Sequence, residues 1–223
     1  MTRVQYQHEL EDLHRAVLDE LDAVARQLSL VLDALGRTDR DVASQVVSRD
    51  EDVDRRYAAL QNELVALIAR QAPVASDLRL ITALLHISRM IERMGDQCVN
   101  IAKLVPVAGA APHGAETFHG CVMEMGRHAL QAVNDAAIAL RDRDLAFADS
   151  LAARDDEVDE LNRTCFSRAI ELDGGETARA WATAMILVAR ALERIGDNAV
   201  DIAAHLRFAA TGAFERGHEA LAK

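Results

Sequence analysis

Two stretches of this chain carry one acidic pattern. ERIGDNAVDIA (193–203) occurs almost verbatim 101 residues earlier as ERMGDQCVNIA (92–102). On a helix of 3.6 residues per turn, Glu193, Asp197 and Asp201 fall at i, i+4 and i+8 and drift only ~40° per step. They make one acidic stripe, and Glu92, Asp96 and Asn100 make its counterpart. Like charges at i,i+4 cost roughly a few tenths of a kcal/mol per pair unless something offsets them. Two further pairs share the spacing: Asp50 and Asp54 in RDEDVD (49–54), Asp155 and Asp159 in RDDEVD (154–159). A chain that repeats this arrangement is expected to hold a cation, or a set of arginines, at each place.

The surrounding apolar pattern says what must position these carboxylates. Leu10, Leu13, Val17, Leu21, Val24, Leu28, Val31 and Leu35 step by three and four, which predicts a long amphipathic helix over about 5–35. Gly36 to Asp39 can end it and cap a second helix over about 40–69. Pro73 breaks that helix, and Ser76 or Asp77 can cap a third, running to about 104. VPVAGAAPHGA (105–115) is the one convincing linker. The pattern then begins again, with helices over about 116–140, 145–172 and 176–208 and turns at RDRD (141–144) and Asp173-Gly174-Gly175. The reading is all-α: six long helices in two tandem, similar three-helix bundles, residues 1–105 and 116–210, with linker 106–115 and tail 211–223.

Short turns make neighbouring helices antiparallel. With a bend near residue 74, Asp54 and Asp50 face positions near 94 and 98, level with Glu92, Asp96 and Asn100. With a bend near 174, Asp159 and Asp155 face positions near 189 and 193, within about one turn of Glu193 and Asp197. Four carboxylates should thus meet at one level of each bundle. Oxygen ligands without Cys or a well-placed His suit hard or borderline divalent or trivalent cations: Fe, Mn, Mg, Ca, or Zn at a stretch. The bland reading is a metal-free scaffold in which Arg89, Arg93, Arg190 and Arg194 pair with the stripes. Gly95 and Gly196, which precede the Asp residues, cost about 1 kcal/mol each relative to Ala, and their recurrence suggests close helix packing or approach to the ligands.

These segments, with RQAPVASDLRLI (70–81), the paired DEDVD and DDEVD motifs and the opening HELEDL, resemble the PhoU family of phosphate-transport accessory proteins over almost the whole chain. The resemblance implies two three-helix bundles with E/DxxxD motifs that bind multinuclear metal clusters, which by position are Asp50/Asp54, Glu92/Asp96, Asp155/Asp159 and Glu193/Asp197. Asn100 and Asp201 extend the stripes. It also implies a cytosolic regulator linking the phosphate ABC transporter's ATPase to a sensor histidine kinase, keeping the starvation response off when phosphate is plentiful, and a homodimer. One departure is that the second copy has GGETARAW where the first has Pro-x-x-x-Asp-Leu-Arg.

Composition agrees with a helical protein that is not membrane-spanning. Half the residues are apolar, 4% are aromatic, and there are three prolines. No apolar run approaches the ~20 residues that cross a bilayer, and the charged N-terminus lacks a signal peptide's apolar block, so the expected place is the cytoplasm. The net charge of −11 argues against nucleic-acid binding. Cys98, Cys121 and Cys165 show no paired spacing and read as small buried hydrophobes. There is no phosphate loop and no nucleophile elbow, which argues against an enzyme. A rival remains in Glu11-x-x-His14 and Glu116-x-x-His119, the spacing of ferritin-like di-iron oxidases. From the first bend, His14 falls about 9–15 Å along the bundle from the acidic level, so both histidines read as surface residues.

Overall fold

A computed structural model of the chain describes residues 3–213, without the side chains of 152–157 and 159. The three- and four-residue apolar spacing becomes helix throughout, and no strand occurs among the described residues. Among the described residues seven helices run in order: α1 (Arg3–Arg37), α2 (Arg40–Ser48), α3 (Asp50–Gln71), α4 (Ala75–Ala108), α5 (Glu116–Asp142), α6 (Leu145–Glu171) and α7 (Glu176–Thr211).

The extra helix arises because the predicted second helix is split at Arg49. That residue sits at φ −88°, ψ −5°, in the sparsely allowed bridge region. Its N–H closes α2 onto the Val46 and Val47 carbonyls, and its carbonyl accepts from the N–H groups of Asp52 and Val53 in α3. Asp50, Glu51 and Asp52 therefore occupy the first turn of a new helix, where unpaired N–H groups and the positive dipole end favour carboxylates.

The turns use the residues their geometry requires. Asp39 caps α2, accepting from the N–H groups of Asp41 and Val42 at 3.0 Å each. Asp144 caps α6 through Phe147 N–H at 3.0 Å, after Arg143 has turned through the left-handed region at φ 53°. Neither Ser76 nor Asp77 caps α4. Its N-cap is Val74, without a side-chain cap bond. α4 also continues into the predicted linker, with Pro106 in its last turn, and stops at Gly109.

α1–α4 make the first bundle and α5–α7 the second, and the two share one hydrophobic cluster. α4 lies along α7 and α1 along α5. The core runs unbroken from Leu21, Leu28, Leu64 and Leu84 into Phe118, Met125 and Leu140, all fully buried. Each such side chain contributes about 1.5–3 kcal/mol of transfer free energy. Phe118 meets Trp181 edge to face, with centroids 5.5 Å apart, a favourable aromatic arrangement.

The seam between the repeats contains polar groups as well. His14 Nε2 lies 3.2 Å from the Leu140 carbonyl, and that carbonyl is one of the last four of α5, which have no partner within their own helix. His14 is thus an inter-repeat cap, 4% exposed. The expectation of a surface histidine fails there, because α1 packs its His14 face against α5. Burial, then the positive charge of Arg143, holds the His14 pKa below its ordinary value. Its motif partner Glu11 pairs instead with Arg143 at 3.3 Å. His119 is half-buried beside Trp181, so it is not a simple surface residue either.

Candidate metal centre

α3 and α4 run antiparallel through the Ala72-Pro73-Val74 turn, and this brings the first acidic set together. Asp50 and Asp54 from α3 and Asp96 from α4 each offer an oxygen within 4.8 Å of the other two. Asp50 is half-buried, and the other two are exposed. Asn100 is exposed one turn further along α4.

Glu92 stands beside this group, with its side chain only 14% exposed. One oxygen accepts from Arg89 Nη1 at 2.9 Å. The other, Oε2, is buried without a hydrogen-bond partner. An orphaned buried carboxylate oxygen costs free energy until a donor or cation reaches it. Arg89 is itself steadied over the Tyr57 ring of α3, 5.8 Å from its centroid. Arg89 is the ion-pair partner its spacing predicts, whereas Tyr57 reaches it only through the packing of α3 on α4.

Electrostatically the site is overloaded with negative charge. The Asp50 pKa is raised by burial, then by Asp54 and Asp96, against the opposing pull of Lys103. Burial and then Asp96 raise Glu92. Burial and then Asp54 raise Asp96. Desolvation and like charge act in one direction, and either a proton or a cation relieves both. The donors are all oxygen, which suits hard cations. Ligands on opposite sides of a Ca²⁺ at 2.3–2.6 Å span up to ~5 Å, so the present spacing fits one with little movement. The residues fit a bound cation.

Only part of the second set lies among the described side chains. Glu193 is 13% exposed and pairs with Arg190. Asp197 and Asp201 are exposed on α7. Asp155 and Asp159 lie on α6, but their side chains fall outside the described residues. Among the described residues only Asp50, Asp54 and Asp96 form a carboxylate group of this kind. Sequence spacing also missed one convergence in this repeat: Cys121 and Cys165 meet, with Sγ atoms 3.0 Å apart.

Comparison with known proteins matches both repeats. The PhoU domain model covers residues 17–105 and 122–206. A phosphate-specific transport system accessory protein PhoU homolog from Clostridium acetobutylicum is 30% identical over 217 residues, covering 95% of this chain and 97% of that protein. A PhoU homolog of the same description from Caulobacter vibrioides is 33% identical over 209 residues, covering 93% and 90%. Among solved structures, PhoU from Pseudomonas aeruginosa superimposes with a TM-score of 0.87 at 28% identity, over 93% of this chain and all of that one. The phosphate transport system regulatory protein PhoU from Streptococcus pneumoniae has the same fold, with a TM-score of 0.85 at 24% identity over 94% and 99%. With both repeats matched and near full-length relatives at this identity, the chain belongs to the PhoU family.

Proposed function

We propose that this chain regulates phosphate uptake as a non-enzymatic accessory of the phosphate-specific transport system. The observation that carries this reading is the family match across both repeats, joined to relatives named as accessory proteins of that system. The partners in this reading are the phosphate transporter's ATPase and a sensor histidine kinase, met from the cytoplasm by a homodimer. No described helix is long and apolar enough to cross a membrane, and a net charge of −11 favours docking on basic protein surfaces.

In the same reading Asp50, Asp54, Asp96 and Glu92 hold cations, and Asp155, Asp159, Glu193 and Asp197 do so in the second repeat, with Asn100 and Asp201 at the margins. A bound cation would supply positive charge between α3 and α4. The chain's own residues supply the oxygen donors, and Arg89 orients Glu92. A ferritin-like oxidase is not favoured, because His14 Nε2 is committed to the Leu140 carbonyl.

The functional test is expression of phosphate-uptake genes in a deletion strain grown with abundant phosphate. Derepression is expected, and continued repression, with no second copy present, would end the regulatory reading. For the metal, protein purified without a nickel column is analysed for Fe, Mn, Mg, Ca and Zn. Replacing Asp96→Ala and Asp197→Ala together should remove bound metal and leave helix content intact, and unchanged stoichiometry would count against the assignment.

A further inference from the structure

We infer that Cys121 and Cys165 form a reversible, peroxide-driven disulfide that joins α5 to α6. The geometry is local and specific. Cys121 lies 22 residues before Arg143, the C-cap of α5, and Cys165 lies 22 residues after it, so the antiparallel turn brings the two level. Their sulfurs are 3.0 Å apart, and both are free thiols. A disulfide bond is about 2.05 Å long, so closure requires only about 1 Å of approach.

The two thiols stand in different surroundings. Cys165 is fully buried, with its Sγ also 3.6 Å from Met125 Sδ. Cys121 is only half-buried, and its Sγ lies 3.4 Å from the Leu161 carbonyl. Cys121 is thus the more exposed residue of the pair and Cys165 the enclosed one. The Cys165 S–H donates toward the Cys121 sulfur, so Cys165 is the donor of the pair. Burial, then the contact with Cys121, raises the Cys165 pKa far above the ordinary thiol value. Cys121 is accordingly the attacking sulfur and Cys165 the resolving one.

The chemistry balances with a hydroperoxide as oxidant. Cys121 sulfur attacks the peroxide's terminal oxygen, the O–O bond breaks, and an alcohol (water, from hydrogen peroxide) leaves with the displaced proton. The product is a Cys121 sulfenic acid. Cys165 sulfur then attacks the sulfenic sulfur, the S–S bond forms and water leaves. The two thiols are oxidised by two electrons and the peroxide is reduced by two. A small dithiol reductant reverses the change by thiol–disulfide exchange. Cys98, fully buried on α4, has its pKa pushed up to about 12 by burial and serves as an internal control. The inference is independent of the metal reading.

The test uses the full chain, reduced, freed of reductant and treated with a small excess of hydrogen peroxide. It is then unfolded in excess alkylating agent and weighed. Alkylatable thiols should fall from three to one, the protein should lose two hydrogens, and proteolysis should yield a linked Cys121–Cys165 peptide that dithiothreitol cleaves. Cys121→Ser and Cys165→Ala should each keep both remaining thiols free of an intramolecular bridge. The wild-type measurement decides the matter even if a variant folds poorly. Three alkylated thiols after treatment would overturn the inference. So would Cys121 carrying two added oxygens beside an alkylatable Cys165, or a Cys121-linked dimer of two chains.

Discussion

The carboxylates of Asp54 on α3 and Asp96 on α4 come within 4.8 Å of each other across the first bundle, with Asp50 completing the group. Folding therefore gathers charges that the unfolded chain keeps apart. The pKa values of Asp50, Glu92 and Asp96 all lie above the ordinary carboxylate range. The folded state then holds those protons to higher pH than the unfolded state does. In a chelator, their contribution to stability falls as pH rises from the ordinary carboxylate range through the raised values, and above them the penalty is complete.

Asp96→Asn removes one charge from this group while keeping the side chain's shape. With chelator at pH 7 the variant should be more stable than the parent by roughly 0.2–1 kcal/mol, the range for exposed charge interactions. With millimolar Ca²⁺ or Mn²⁺ the order should invert, because the parent gains stability from the cation and the variant does not. Chemical denaturation with and without cation reads both. A variant less stable than the parent in chelator would show that the carboxylates are not repelling one another.

On the acid side, His205 has the opposite sign. It is 7% exposed and stacked on His86 with ring centroids 4.7 Å apart. Burial, then the charge of His86, lowers its pKa from 6.5 to about 4. Between those values the unfolded chain takes up a proton that the folded chain refuses, so stability falls as pH drops through that window. The full difference is about 3 kcal/mol at the lower end. His205→Phe keeps a ring against His86 and removes the titration. The stability of this variant relative to the parent should therefore rise steadily from pH 6.5 to pH 4. A constant difference across that window would remove His205 from the account.

How much of this was legible depended on whether the signal was local. The antiparallel register was legible, since Pro73 marks the bend and Asp54 and Asp50 lie as far before it as Glu92 and Asp96 lie after. The break at Arg49 was not, because no Gly or Pro interrupts the apolar spacing from Val46 to Val53. The shared core was also hidden. Periodicity shows which face of α4 is apolar, but not that α7 covers part of it. Cys121 and Cys165 were concealed for a different reason. Local spacings such as CxxC do not capture two residues placed symmetrically about a turn, although the same register argument about Arg143 finds them.

His14 tests the seam between the repeats. If it caps Leu140, then His14→Ala leaves a buried carbonyl unpaired and opens a small void. The expected loss is about 1–3 kcal/mol, read by urea denaturation. His14→Gln retains a donor and should recover part of it. A surface residue would show less than about 0.5 kcal/mol for either change.

The two helix glycines of the seam and the acidic site should respond to alanine with opposite signs. In a helix interior, Gly→Ala gains about 1 kcal/mol from backbone propensity alone, so the sign depends on what the new methyl group meets. At Gly95 the nearest atom would be Val53 Cγ1 at 3.6 Å, with Gln27 and Val24 at 3.9 Å. These are ordinary contacts. The glycine before Asp96 is therefore not required by close helix approach, and Gly95→Ala should stabilise the protein by about 0.5–1 kcal/mol. At Gly126 on α5 the methyl group would overlap Leu32 Cδ2 and fall 3.3 Å from its Cγ. Leu32 is 7% exposed, so it cannot simply swing into solvent, and overpacking of this kind costs about 1–3 kcal/mol. Gly126→Ala should then be net destabilising by about 1 kcal/mol. Adding Leu32→Ala should restore room and make the effect of Gly126→Ala favourable, so the pair is non-additive. If Gly126→Ala stabilises the protein in the presence of Leu32, α1 and α5 are not packed as closely as their glycine contact requires.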